Sequence, residues 1–246
     1  MNLIKAILRF PPETGRRANR RMKNNMPRRP TVEYPAVNPP GLEPDRKTPQ
    51  EVSRAETIAR FGSSLTIVDA FSLSVEDHIK NLGLIPEKFV RNMKNRGLRV
   101  LVGNRDLKSL VSKVGGFRGA LAKFQSELAH TDSCYLSWIK TAVVADAKHR
   151  SSSSSVALHE YGHGVHHMLL TSFAGQNVID AHKRLHPHLP PFIQERGEPG
   201  SFGGVAELIA DSFADFHILS KEDFLKRYDE QWYLLLGKII ADNSIE

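Results

Sequence analysis

Apolar and polar positions alternate with recognisable periods only after about residue 50. The stretch "EVSRAETIARFG" (51–62) has the spacing of a short helix ending at Gly62. Pro86 opens a second helix, "PEKFVRNMKNRG", which Gly97 closes, and "LRVLVG" (98–103) reads as a buried strand. Apolar residues at mixed helical spacing around "GGFRGA" predict helix within 107–129. "TAVVAD" (141–146) is a second strand candidate, and the serine run of the polar loop after it supplies an N-cap for a helix that starts near Val156. Residues 184–204 form a proline- and glycine-rich connection. "VAELIADSFADFHIL" then returns to helical spacing with Leu208, Phe213 and Phe216 facing inward. A last helix starts at a capping box of Ser220 and Asp223 and runs through "FLKRYDEQWYLLLGKII". Several helices, few strands and no internal repeat predict an α+β domain over 63–246.

Residues 1–62 read as an arm in front of that domain, and charge sharpens the division. The chain carries a net charge of +7 from 34 Lys/Arg and 27 Asp/Glu. Residues 1–50 hold 11 basic and 4 acidic residues, 11 − 4 = +7, so the rest balances at 23 each. This proline-rich segment, with little apolar periodicity, is expected to be unfolded or extended. Three readings of it stand: a solvated linker, a targeting or pro-segment, or an arm that binds an anionic partner, nucleic acid or a membrane surface. Lys5 and Arg9 interrupt what would be the apolar part of a conventional secretory signal.

Overall composition, 40% hydrophobic and 25% charged, is that of an ordinary soluble domain. No apolar run approaches the roughly 20 residues of a membrane-spanning helix. Cys134 is the single cysteine, which excludes an internal disulfide and a thiolate metal cage. Any metal site must be built from nitrogen and oxygen.

Such a site is suggested by "HEYGH". In a helix, His159 and His163 lie one turn apart on one face and can aim both imidazoles at one ion. Glu160 is rotated by about 100° from His159, beside the ion, where a general base for water belongs. Gly162 and Gly164 each weaken a helix by roughly 1 kcal/mol, which fits a helix packed closely against other backbone. A catalytic zinc normally takes a third protein ligand. His167 is a poor candidate, about 12 Å along the axis from His159. Glu207 on the later helix is the better one, and Asp211, one turn further on, can accept the N–H of a ligand histidine and orient it. The expected cofactor is one Zn2+. The competing reading is a histidine-rich helix surface.

"HEYGHGV" followed by "SFGGVAELIADSFADFH" resembles the catalytic domain of anthrax toxin lethal factor and related gluzincin metallopeptidases, among them the proline-proline endopeptidases. The resemblance covers roughly 85–246, is strong in the two metal helices, is supported by "MKNRGLRVLVG" and is weak over 104–140. It implies a zincin-like fold with a small sheet and several helices. It also implies zinc ligands His159, His163 and Glu207, Glu160 as base, and a protein or peptide substrate paired as an extended strand along an edge strand, "TAVVAD" being the candidate. The family's tyrosine ahead of the glutamate helix, an oxyanion donor, is matched here by Phe202, which cannot donate. Tyr161, His166 and Tyr228 are the alternative donors. The family also suggests an effector, toxin or particle component that acts after delivery. A catalytically weak zincin that holds peptides, tethered by its arm, is the alternative function.

Other residues are expected to be structural. His182, His186 and His188 read as a surface connection, His217 as a core-edge residue, Trp138 and Trp232 as core or interface aromatics, and Cys134 as a buried thiol.

Overall fold

The computed structural model describes residues 52–69, 72–113, 133–145, 154–173, 175–189, 191–195 and 197–244. The basic arm over 1–50 and most of the helix expected within 107–129 lie outside the described residues.

Helix α1 (Arg54–Phe61) starts at a capping box in which Ser53 and Glu56 each accept from the other's backbone N–H. It buries Thr57 and Phe61. This helix, grouped with the arm in the sequence, therefore packs on the core of the domain. Strand β1 (Leu65–Val68) and helix α2 (Leu73–Leu82) follow, two elements that the periodicity did not predict. Strand β1 is only four residues long and half-buried, too short for a period to show. Helix α3 (Glu87–Asn95) and strand β2 (Arg99–Gly103) lie where Pro86 and Gly97 place them. Gly97 adopts φ +90°, the left-handed region that favours glycine at a helix end.

Helix α4 (Leu107–Lys113) precedes strand β3 (Ser133–Leu136) and strand β4 (Thr141–Val144). Among the described residues the four strands form one sheet in the order β1-β2-β4-β3. Strands β1, β2 and β4 run parallel, and β3 runs antiparallel beside β4. The "TAVVAD" segment is thus an interior strand, and among the described residues the sheet's edges are β1, "LTIV", and β3, "SCYL". All four β4 residues are buried, as a strand covered on both faces requires.

Alternation along the strands divides the core. Val100, Val102, Tyr135, Ala142 and Val144 face helix α5 (Val156–Met168), whereas Leu101, Cys134, Leu136 and Val143 pack on Leu107, Leu110 and Val111 of α4. Ser155 caps α5, accepting from Leu158 N–H, and Asn81 of α2 donates to the same hydroxyl at 3.1 Å. Short helices α6 (Leu170–Phe173), α7 (Gln176–Leu185) and α8 (Pro191–Gln194) lead to the long helix α9 (Phe202–Ile218), capped by Ser201.

The final predicted helix is two. Helix α10 (Lys221–Arg227) ends before Tyr228, and Asp229 caps α11 (Glu230–Asp242) by accepting from Trp232 N–H at 2.8 Å. A side-chain cap in mid-pattern broke what apolar spacing alone read as continuous. Trp232 is fully buried, while Trp138 is half exposed.

Candidate metal centre

Helices α5 and α9 are both almost entirely buried, and glycine lets them approach. A Cβ on Gly162 would stand 2.9 Å from Ala210 Cα, and one on Gly164 would meet Leu98 and Tyr135. The helices run past each other so that three pairs of side chains meet in sequence: His159 with Asp211, His163 with Glu207, and His166 with Phe202. Close backbone approach brings two imidazoles and a carboxylate from separate elements to one place.

His159 Nδ1–H donates to Asp211 Oδ1 at 2.7 Å, so in the neutral ring Nε2 is the lone-pair nitrogen. That Nε2 stands 3.1 Å from His163 Nε2 and 3.8 Å from Glu207 Oε2, and His163 Nε2 is 3.6 Å from Glu207 Oε1. The imidazoles are nearly perpendicular, at 88°. The structure therefore brings His159, His163 and Glu207 into a group that could hold a metal ion, with ligand atoms all within 4.8 Å of one another. Glu207 and His159 are buried and His163 nearly so, so a histidine-rich solvent face is not what this helix presents.

The donor set fits a metal on chemical grounds. Two imidazole nitrogens pointed at each other and at a buried carboxylate are the nitrogen–oxygen triad that a catalytic zinc takes from a protein. Asp211 bonds His159 at the nitrogen away from that point, where a metal-binding histidine commonly has a carboxylate.

Burial alone would lower the His159 pKa. The Asp211 carboxylate, through charge and hydrogen bond, with Glu160 and Glu207 adding to it, raises it instead to about 9. His163 is held below its ordinary value, chiefly by burial. His166 is pushed to about 4 by burial and then by the neighbouring imidazoles of His163 and His167, so it is neutral at pH 7.

Glu160 reaches the sheet. Its Oε1 accepts a 2.7 Å hydrogen bond from the hydroxyl of Ser133, on edge strand β3. Nothing in the sequence marked Ser133, because only the antiparallel pairing of β3 with β4 brings it to the motif helix. Two residues along, Tyr135 Oη lies 2.8 Å from His167 Nδ1. Cys134 between them faces the other side of the sheet, and burial and then the Glu160 charge raise its thiol well above the usual value.

Of the residues considered as hydrogen-bond donors at the reacting centre, Tyr161 packs its ring on Phe61 and Phe213 in the core. Tyr228 donates at 3.0 Å to buried Asp215, which also accepts from Arg227 at 2.9 Å. Both are turned to structural tasks. Phe202 opens α9 half exposed, its ring centroid 5.3 Å from that of His166.

Two histidines of the connection differ from expectation, whereas His188 is exposed as expected. His182 is only 1% exposed and accepts from Gly200 N–H at 2.7 Å, while His186 donates to the Gly197 carbonyl at 3.0 Å. They clamp the turn ahead of α9 instead of lying on a surface loop; His217, packed on Phe213 and Phe216, is the core-edge residue expected.

No family model matches the chain, and no curated protein matches it. Among solved structures, the chain is similar to the Pro-Pro endopeptidase of Paenibacillus alvei, with a TM-score of 0.48 and 11% identity over 74% of this chain and 98% of that one. No helix among the described residues is long and apolar enough to cross a membrane.

Proposed function

We propose that this chain is a zinc-dependent endopeptidase of the gluzincin type, acting on peptide bonds of a protein substrate. The observation that carries the reading is the convergence of His159, His163 and Glu207 on one buried point, with Asp211 bonded to the far nitrogen of His159. His159 Nε2, His163 Nε2 and a Glu207 oxygen would hold the ion. Zinc held there supplies Lewis acidity, lowering the pKa of water and polarising a carbonyl.

Every other part falls to the chain's own residues. Glu160, next to the ligand helix face but rotated off it, is the general base that takes a proton from the attacking water and returns it to the leaving amine. Asp211 keeps the His159 ring in the tautomer that presents Nε2. The substrate lies as an extended strand along β3, which among the described residues pairs only with β4. Buried α5 and α9 exclude bulk water from one side of the site.

Elemental analysis of the purified chain and of Glu207→Ala tests the metal, with one zinc per chain expected in the first and little in the second. Glu160→Gln should retain zinc and lose peptide cleavage; retained turnover in that variant rejects the mechanism. A second reading, a weak zincin that binds peptides without turning them over, is favoured by the phenyl ring of Phe202 at the head of α9 and by the inward-turned Tyr161 and Tyr228. Multiple turnover on any peptide removes it.

A further inference from the structure

We propose that Ser133 is the positioning residue for Glu160, and that edge strand β3 thereby fixes the base relative to both metal ligands and substrate. The proposal rests on the peptidase reading above for its catalytic meaning, and on the structure's own contacts for its geometry.

Glu160 follows His159 directly on α5, so its backbone position is set by the ligand helix. Helix position does not determine where a carboxylate on two methylenes points, because its rotamers reach a wide arc. Asp211 reaches His159 from α9, whereas Glu160, rotated by about 100° on the same helix, reaches the sheet. There the Ser133 hydroxyl donates to Glu160 Oε1 at 2.7 Å, a short bond to a buried carboxylate.

The strand that carries Ser133 is itself held in register. Ser133 pairs with Val144 and Tyr135 with Ala142 on buried β4. Ser133 and Tyr135, two apart, project from the same face of β3 towards α5. Tyr135 reaches His167 near the far end of that helix at 2.8 Å, and its ring lies beside Gly164. A slip of one residue would put Cys134 opposite Glu160 and turn Ser133 into the α4 side of the core. Two rungs, Ser133–Glu160 and Tyr135–His167, thus join the edge strand to the ligand helix. One carboxylate oxygen is occupied by the serine and the other is left for a proton.

This arrangement predicts what each change does. Ser133→Ala removes the donor without altering strand propensity much or adding bulk, and Ser133→Thr retains a hydroxyl on a residue well suited to strands. The full chain, purified as wild type, Ser133→Ala and Ser133→Thr, is loaded with zinc and compared in two ways. Crystal structures should show the Glu160 carboxylate in one place in the wild type and in Ser133→Thr, and displaced or split between rotamers in Ser133→Ala. On a cleaved peptide, Ser133→Ala should lower kcat about tenfold or more, the scale set by a hydrogen bond to a charged group, with KM within about twofold and zinc content unchanged. Ser133→Thr should recover most of kcat. A Glu160 carboxylate that keeps its place without the hydroxyl, or an unchanged kcat in Ser133→Ala, overturns the proposal. Should the wild type cleave no peptide, the peptidase reading fails separately, and the Glu160 positions in the crystals still decide whether Ser133 sets them.

Discussion

Gly162 on α5 lies so close to Ala210 on α9 that a Cβ on the glycine would stand 2.9 Å from the alanine Cα and 3.1 Å from its carbonyl oxygen. This contact lets His163 and Glu207 share a site, and backbone cannot yield as a flexible side chain would. Gly162→Ala should therefore destabilise the protein by about 1–3 kcal/mol despite alanine's better helix propensity, and weaken zinc binding. Gly237 on α11 is the control: its added Cβ would meet only the Phe216 ring at 3.6–3.7 Å. Gly237→Ala should raise stability by about 0.5–1 kcal/mol. Denaturant melts of the two variants, read with their zinc content, check both signs.

Asp211→Asn keeps the shape of the side chain but removes the charge behind His159 and allows an amide to turn its N–H₂ towards Nδ1. Zinc affinity should fall about 10–100-fold, as for other carboxylates behind ligand histidines. Competition with a zinc-binding dye measures this directly; unchanged affinity would mean that Asp211 does not orient the ring.

Acidity should act on the metal-free protein in two opposed windows. The folded pKa of His159 is about 9, above the ordinary 6.5, so its contribution to stability is full below 6.5 and lost as the pH rises through about 9. His166 and His182 are depressed to about 4 by burial and then by neighbouring imidazoles, so theirs is full above 6.5 and lost as the pH falls through about 4. These groups place maximum stability near pH 6.5, to be read from chemical denaturation at about pH 4.5, 6.5 and 9.5. Zinc must displace the His159 proton, so its affinity should climb with pH up to about 9.

Zinc itself should stabilise the fold by mass action, by about 2.7 kcal/mol at a hundredfold excess over Kd. Thermal melts of chelator-treated protein should rise with added zinc in the wild type and stay flat in Glu207→Ala. A wild-type melt indifferent to zinc would count against the site.

Tyr228→Phe separates structure from chemistry. The hydroxyl serves buried Asp215 together with Arg227, so its loss should cost about 1.5–3 kcal/mol, the range for bonds to charged groups. Zinc content and kcat should not change. A fall in kcat at constant zinc would return Tyr228 to the reacting centre.

The sequence by itself determined the pieces whose physics is local. Histidines four apart with a glutamate beside them share a helix face wherever that helix sits, and Glu207 and Asp211 repeat the same spacing on α9. Pro86, Gly97 and the serine before Val156 mark ends through backbone geometry and capping, which need no tertiary partner. The tertiary structure decided what depends on contacts between distant segments. Strand order follows from pairing across the sheet, so among the described residues it made "TAVV" interior and "SCYL" an edge. The break at Asp229 is also held from afar, because Arg184 of α7 donates at 2.6 Å to the carboxylate that caps α11. The burial of His182 depends on a turn eighteen residues away folding back to donate to it. Ser133, at the start of a four-residue strand and without any motif, acquires a partner only because β3 pairs antiparallel with β4 and its hydroxyl meets Glu160.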